Sequence, residues 1–187
     1  FLFALCMGYC LQPLAAPDIW MGSIMGLIFL TKLFIWTAMA EPIQTSSEIA
    51  KRHPERPIVI AHRGASHIAP ENTLAAISKA ASLQADAIEF DLHLSKDGVP
   101  IIMHDFTLGR TTNGRGRVRD KTWRAIKTLD AGAWFGAAFV GEKPPSLAEG
   151  LSVIGNAVAC IEIKTGETIV PLIESTLLDL GLLERAI

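Results

Sequence analysis

At 187 residues the chain is long enough for one domain with a sizeable core and short for two. Its formal net charge of -2 leaves no electrostatic case for a nucleic-acid partner, which would require a basic, phosphate-tracking surface. The three cysteines, Cys6, Cys10 and Cys160, form no CxxC pair and no even framework, so neither a disulfide scaffold nor a zinc site is expected.

Half of the residues are hydrophobic, and the excess lies at the N-terminal end, where residues 1–40 carry only Asp18 and Lys32 as charged groups. Ile19 to Ala40 matches the roughly 20 residues that cross a bilayer as a helix. The same stretch ends Ala38-Met39-Ala40, the small-x-small pattern of a signal-peptidase site. A membrane anchor and a cleaved signal both stay open, as does a true start at Met21 or Met25. Either of the first two makes the protein membrane-associated or exported. Residues 41–57, with three prolines and no sustained period, read as a linker, and His53 within it as a solvated loop residue.

Ile58 to Ala61 is a short apolar run, expected as a strand buried on both faces of a parallel sheet. Asn72 is placed to cap a helix whose apolar positions, Leu74, Ile77 and Ala81, recur at helical spacing. Ala85 to Leu94 and Val99 to Met103, separated by Gly98, read as the second and third strands. A helix between the first two strands argues for a parallel βαβ unit.

Residues 106–157 differ in kind and read as an insertion over one end of the sheet. They are rich in glycine and turn residues, with short helices expected near Trp123 to Leu129 and from Ser146 to Ile154. A basic cluster there (Arg110, Arg115, Arg117, Arg119, Lys121, Arg124 and Lys127) reads first as a solvated charged face, interleaved with Asp120 and Asp130, and second as a surface that attracts an anionic substrate. Trp134 and Phe135 are candidates for a pocket wall or for ordinary packing. Ala157 to Ile163 is the fourth expected strand, followed by a helix over Ile169 to Leu183.

Strand parity points to chemistry. Side chains two apart share a face, so Glu89 and Asp91 point together, as do Glu162 and Lys164. Carboxylates in apolar strands bear a large desolvation cost unless positive charge sits among them, and a hard divalent cation is the economical solution. Glu89, Asp91 and Glu162 offer the oxygen donors that Mg²⁺ or Ca²⁺ prefers. His62 follows the first strand and His104 the third, where two imidazoles can act as general acid and base across a bound substrate. Arg63 and Lys164 supply donors for a phosphate. His93 shares parity with Asp91 and reads as structural support, and His67 gains no comparable role.

His62-Arg63-Gly64, Pro70-Glu71-Asn72-Thr73, Glu89-Phe90-Asp91, His104-Asp105 and Glu162-Ile163-Lys164 follow one another in an order and spacing that closely resemble the glycerophosphodiester phosphodiesterase family. The resemblance runs from about Pro57 to at least Lys164 and includes Asp130-Ala131-Gly132 and Pro145-Ser146-Leu147. It implies an α/β TIM (β/α)₈ barrel that hydrolyses glycerophosphodiesters to an alcohol and glycerol 3-phosphate with a divalent cation. By matching position it implies His62 and His104 as the acid/base pair. Glu89, Asp91 and Glu162 become the metal ligands, Arg63 and Lys164 the phosphate holders, and Glu71 a supporting residue.

Such a barrel needs about 250 residues, and residues 58–187 provide about half of that. The expectation is therefore the first half of the barrel, about four parallel strands, preceded by the apolar segment. An open apolar edge would make this piece alone unstable or prone to aggregate. Two other functions remain to be weighed: a phospholipase-like phosphodiesterase acting on intact lipids, and an inactive, membrane-tethered binding module.

Overall fold

A computed structural model describes residues 55–187. The expected anchor or signal segment, and the linker as far as residue 54, lie outside the described residues. Among the described residues no helix is long and apolar enough to cross a membrane.

The sheet is built on β2 (Ala87–Leu94), whose eight residues are all buried except Leu94. β1 (Ile60–Ala61) and β4 (Val158–Ile163) flank it, each parallel to it. The helix α1 (Leu74–Ser82) crosses from β1 to β2 and makes the expected βαβ unit. Beyond β4, Ala186 bridges Ala159 in the parallel sense and Ile187 exchanges backbone hydrogen bonds of 2.9 Å with Ala159 and Ile161.

β3 (Pro100–Ile102) corrects the expectation of four parallel strands, because it pairs antiparallel with β2 through Leu92–Ile102, His93–Ile101 and Leu94–Pro100. The cause is the length of the link. A parallel return needs a crossover of about a dozen residues, whereas Ser95 to Val99 closes on itself. Ser95 N donates to the Val99 carbonyl at 3.0 Å, and Gly98 N donates to the Ser95 carbonyl at 3.1 Å with φ +78°. β1 is also shorter and less buried than expected, since Val59 and Ile60 are both exposed.

The two faces of β2 have separate uses. Ile88, Phe90 and Leu92 enter the main core with Ile77 of α1, Leu147 and Leu151 of α3 (Leu147–Leu151), and Ile173 and Leu177 of α4 (Val170–Asp179). The opposite parity carries Ala87, Glu89, Asp91 and His93. α3 begins in a capping box, with Ser146 and Glu149 each satisfying the other's backbone N–H. A second, smaller core of Ile101, Met103, Leu108, Val118 and Ile126 holds the 106–157 insertion, which contains α2 (Trp123–Ile126). Trp134 and Phe135 pack edge-on against each other, and Phe135 against Phe139, so they serve the insertion's own packing.

Candidate active site

β1 ends in a turn that aims two side chains. Arg63 and Gly64 both take positive φ, +58° and +76°. Gly64 lies so close to α1 that a Cβ would come 2.7 Å from the Ala76 carbonyl carbon. Only glycine combines that backbone with that approach. The turn is fastened to β2, for Arg63 N donates to Glu89 Oε2 at 2.7 Å and Gly64 N to the Glu89 carbonyl at 3.2 Å.

The parallel register puts Asp91 opposite Glu162 and Glu89 opposite Cys160. Carboxylate oxygens of Glu89, Asp91 and Glu162 thereby lie within 4.8 Å of one another. Glu89 and Asp91 are buried, while Glu162 faces outward. Glu89 Oε1 is buried without any hydrogen-bond partner, so one acceptor in the carboxylate cluster is left to receive a further donor or a cation. Burial pushes the Glu89 carboxyl up, an effect that the Arg63 N–H opposes and neighbouring Asp91 reinforces. Burial acts on Asp91 in the same direction, but the Asn72 amide and the Lys164 ammonium overcome it and hold Asp91 below the usual carboxylate range. Burial, with Glu89 and Glu162 nearby, pushes the Cys160 thiol up and keeps it protonated. The donor set is therefore all oxygen, as a hard cation requires.

Lys164 Nζ lies 3.1 Å from Asp91 Oδ1 and also bonds Glu162 Oε1. In this arrangement the ammonium neutralises the carboxylates. Asn72, expected to cap α1, has a different task. Thr73 is the cap, its hydroxyl accepting from Ala76 N, and Asn72, at φ +57°, donates Nδ2 to Asp91 Oδ2 at 2.8 Å.

The two histidines border this cluster, His62 near Glu89 and His104 near Asp91, in chemically different settings. His62 is largely exposed, with Nε2 3.9 Å from Glu89 Oε2. His104 is held, with Nδ1 2.7 Å from Asp105 Oδ1. With Nδ1 donating to Asp105, Nε2 is the nitrogen left to exchange a proton. The antiparallel β3 delivers His104 to the site, since Met103 N donates to the Asp91 carbonyl at 2.9 Å. His93 is buried with Nε2 3.0 Å from the His104 carbonyl and its ring edge-on to Phe106, so it steadies the segment that carries His104.

Arg110 corrects the reading of the basic cluster as wholly solvated. Its guanidinium donates to both oxygens of Asp105 (2.8 and 2.9 Å) and both of Glu71 (2.9 and 2.7 Å). Glu71 in turn accepts from Arg63 Nη1 at 2.9 Å, and Arg63 Nε lies 3.6 Å from Asp91 Oδ2. A charged chain thus runs from His104 through Asp105, Arg110, Glu71 and Arg63 to the carboxylate cluster. Arg110, and after it His104, hold the Asp105 carboxyl far below the usual range. Against the cost of burial, Arg110 and Arg63 hold Glu71 low as well. Sequence reasoning gave Asp105, Arg110 and Asn72 no role in the site. The signals available were the adjacency of Asp105 to His104 and the place of Asn72 within the Pro70-Glu71-Asn72-Thr73 motif.

The profile of the glycerophosphoryl diester phosphodiesterase family matches residues 62–172, more than half of the chain. The chain is 50% identical over 123 residues to a glycerophosphodiester phosphodiesterase of Caldanaerobacter subterraneus, covering 65% of this chain and 51% of that protein. It is 41% identical over 150 residues to one from Bacillus subtilis, covering 75% and 51%. Among solved structures, a glycerophosphodiester phosphodiesterase of Agrobacterium tumefaciens superposes with a TM-score of 0.66 at 39% identity, covering 70% of this chain and 56% of that one. An Oleispira antarctica phosphodiesterase in complex with the product sn-glycerol-3-phosphate superposes with a TM-score of 0.62 at 38% identity, covering 65% and 51%. The chain spans about half the length of the curated relatives it matches.

Proposed function

The chain belongs to the glycerophosphoryl diester phosphodiesterase family, and from that membership we propose that its site serves cation-dependent hydrolysis of glycerophosphodiesters to an alcohol and glycerol 3-phosphate. The observation that carries this reading is the meeting of Glu89, Asp91 and Glu162 within 4.8 Å, flanked by His62 and by His104 held on Asp105.

Glu89, Asp91 and Glu162 would hold Mg²⁺ or Ca²⁺, and the unpartnered Glu89 Oε1 fits that role. A cation held by these carboxylates would supply Lewis-acid charge that stabilises the negative charge developing on the phosphoryl group. One histidine takes the proton of the nucleophile, either water or the neighbouring glycerol hydroxyl of the substrate, and the other gives a proton to the departing alcohol oxygen; where the hydroxyl attacks, water then opens the cyclic phosphate to glycerol 3-phosphate. Asp105 fixes the His104 ring for this exchange. Arg63, steadied by Glu71, offers its planar fork to a phosphate oxygen, and Lys164 offers a point charge from the other side.

The test is turnover of glycerophosphocholine and glycerophosphoglycerol by the full-length protein before and after chelation. Activity is expected to vanish on chelation and return with Mg²⁺ or Ca²⁺. Undiminished turnover after exhaustive chelation defeats the reading.

A further inference from the structure

Lys164 also borders a cavity of about 680 Å³, framed by the end of β2, the residues after β4 and the loop that runs from Phe106 to Arg119. None of its lining side chains is acidic, while Arg117, Arg119 and Lys164 all face it. Lys164 pairs with Asp91 and Glu162 and is the residue offered to the scissile phosphate, so it is not counted toward this cavity's anion. Among the described residues, no carboxylate forms an ion pair with Arg117 or Arg119, so both forks remain available. The backbone that carries them is anchored, since Val118, between them, is buried in the smaller core and its N–H donates to the Phe106 carbonyl at 3.0 Å, while both arginines are exposed. Thr165 Oγ1, at the wall, is buried without a hydrogen-bond partner. Phe106 gives the cavity an apolar flank.

We propose that this cavity receives an anionic group carried on the leaving alcohol of the substrate, bound by Arg117 and Arg119, and so selects phosphorylated or carboxylated alcohols over ammonium-bearing ones. The inference rests on the phosphodiesterase reading. Two guanidinium forks match a phosphate or carboxylate in geometry as well as in charge. The Thr165 hydroxyl would add a further donor to such a group, and the Phe106 ring would cover the carbon chain of the alcohol. An ammonium headgroup would instead meet like charge with no carboxylate to receive it.

The experiment compares kcat/KM of the full-length protein for glycerophosphoglycerol, the same diester bearing a terminal phosphate monoester, and glycerophosphocholine. The phosphorylated diester is expected to exceed its unphosphorylated parent by about tenfold, the scale of one or two charge-assisted hydrogen bonds. Glycerophosphocholine is expected to rank last, and the preference to shrink as salt is raised. In the double variant Arg117→Glu with Arg119→Glu, the ratio of phosphorylated to parent diester falls below one and glycerophosphocholine gains rank. A milder pair, Arg117→Gln with Arg119→Gln, brings the ratio close to one if charge reversal prevents folding. Equal turnover of all three diesters, or a ratio unmoved in the glutamine pair, overturns the proposal. Hydrolysis of none of them removes the phosphodiesterase reading itself, and the inference with it.

Discussion

Arg110 joins carboxylates that approach the site from different loops, Glu71 before α1 and Asp105 after β3. Removing it frees Asp105 to swing and leaves Glu71 with Arg63 alone. Arg110→Ala is therefore expected to lower kcat/KM about tenfold through loss of His104 and Arg63 positioning, a typical effect of misplaced catalytic groups. The stability loss should be only about 1 kcal/mol, because the guanidinium is partly exposed and solvent screens it. The pH dependence has a definite sign. Glu71 and Asp105 both have folded pKa values below the ordinary range, so their contribution is complete above the unfolded values near about 4 and lost as the pH falls through the folded ones. The gap in urea midpoint between wild type and Arg110→Ala should persist from neutral pH to about pH 5 and narrow on further acidification. A gap that widens in acid would contradict these ion pairs.

Glu89 has the opposite sign. Burial raises its folded pKa, so its charged form costs stability, and the stability of the protonated form is lost as the pH rises through that value. Glu89→Gln should consequently raise the melting temperature of the cation-free protein at neutral pH while abolishing the stabilisation gained on adding Mg²⁺ or Ca²⁺. Differential scanning calorimetry with and without cation checks both halves. A variant still stabilised by cation to the wild-type extent would remove Glu89 from the ligand set.

At the scale of elements, the turn after β1 and the link after β2 decide what reaches the site. Gly64→Ala demands a side chain at positive φ and 2.7 Å from α1 backbone, and should cost about 2–4 kcal/mol in urea unfolding. An equal loss from Gly98→Ala is not expected, since no atom lies within 4 Å of a Cβ there and only the positive φ resists. Both elements show what a sequence exposes. The period-2 rule put Glu89 and Asp91 on one face, and β2 carries them that way. The direction of β3 was equally legible in the five residues from Ser95 to Val99, too few for a parallel crossover, although reading the strands by composition alone makes them all parallel. Asn72 illustrates the reverse. Its type suits a helix cap, yet Thr73 one residue on suits it too, and only the position of Asp91 decides which residue does what.

At the scale of the whole molecule, three parallel strands in the order β1-β2-β4, with helices on the face of Ile88, Phe90 and Leu92, form part of the barrel seen in the matched structures. The candidate residues arrive from separate segments: His62 and Arg63 after β1, Glu89 and Asp91 on β2, His104 after β3, and Glu162 and Lys164 from β4. Their chemistry was readable from the motifs. Their distances were not, because the period-2 pattern fixes which face each residue takes but not which residue of β4 stands opposite which residue of β2. The ion-pair chain through Arg110 was hidden for a similar reason: one arginine among seven basic residues carries no mark of its partner.

The central claim is that His62 and His104 move protons at a cation held by other residues. Its most direct test measures cation affinity by titration calorimetry and turnover of glycerophosphoglycerol in His62→Ala and His104→Ala of the full-length protein. Each variant is predicted to bind Mg²⁺ or Ca²⁺ nearly as the wild type does and to lose about a hundredfold or more in kcat. Wild-type turnover in either variant would contradict the account.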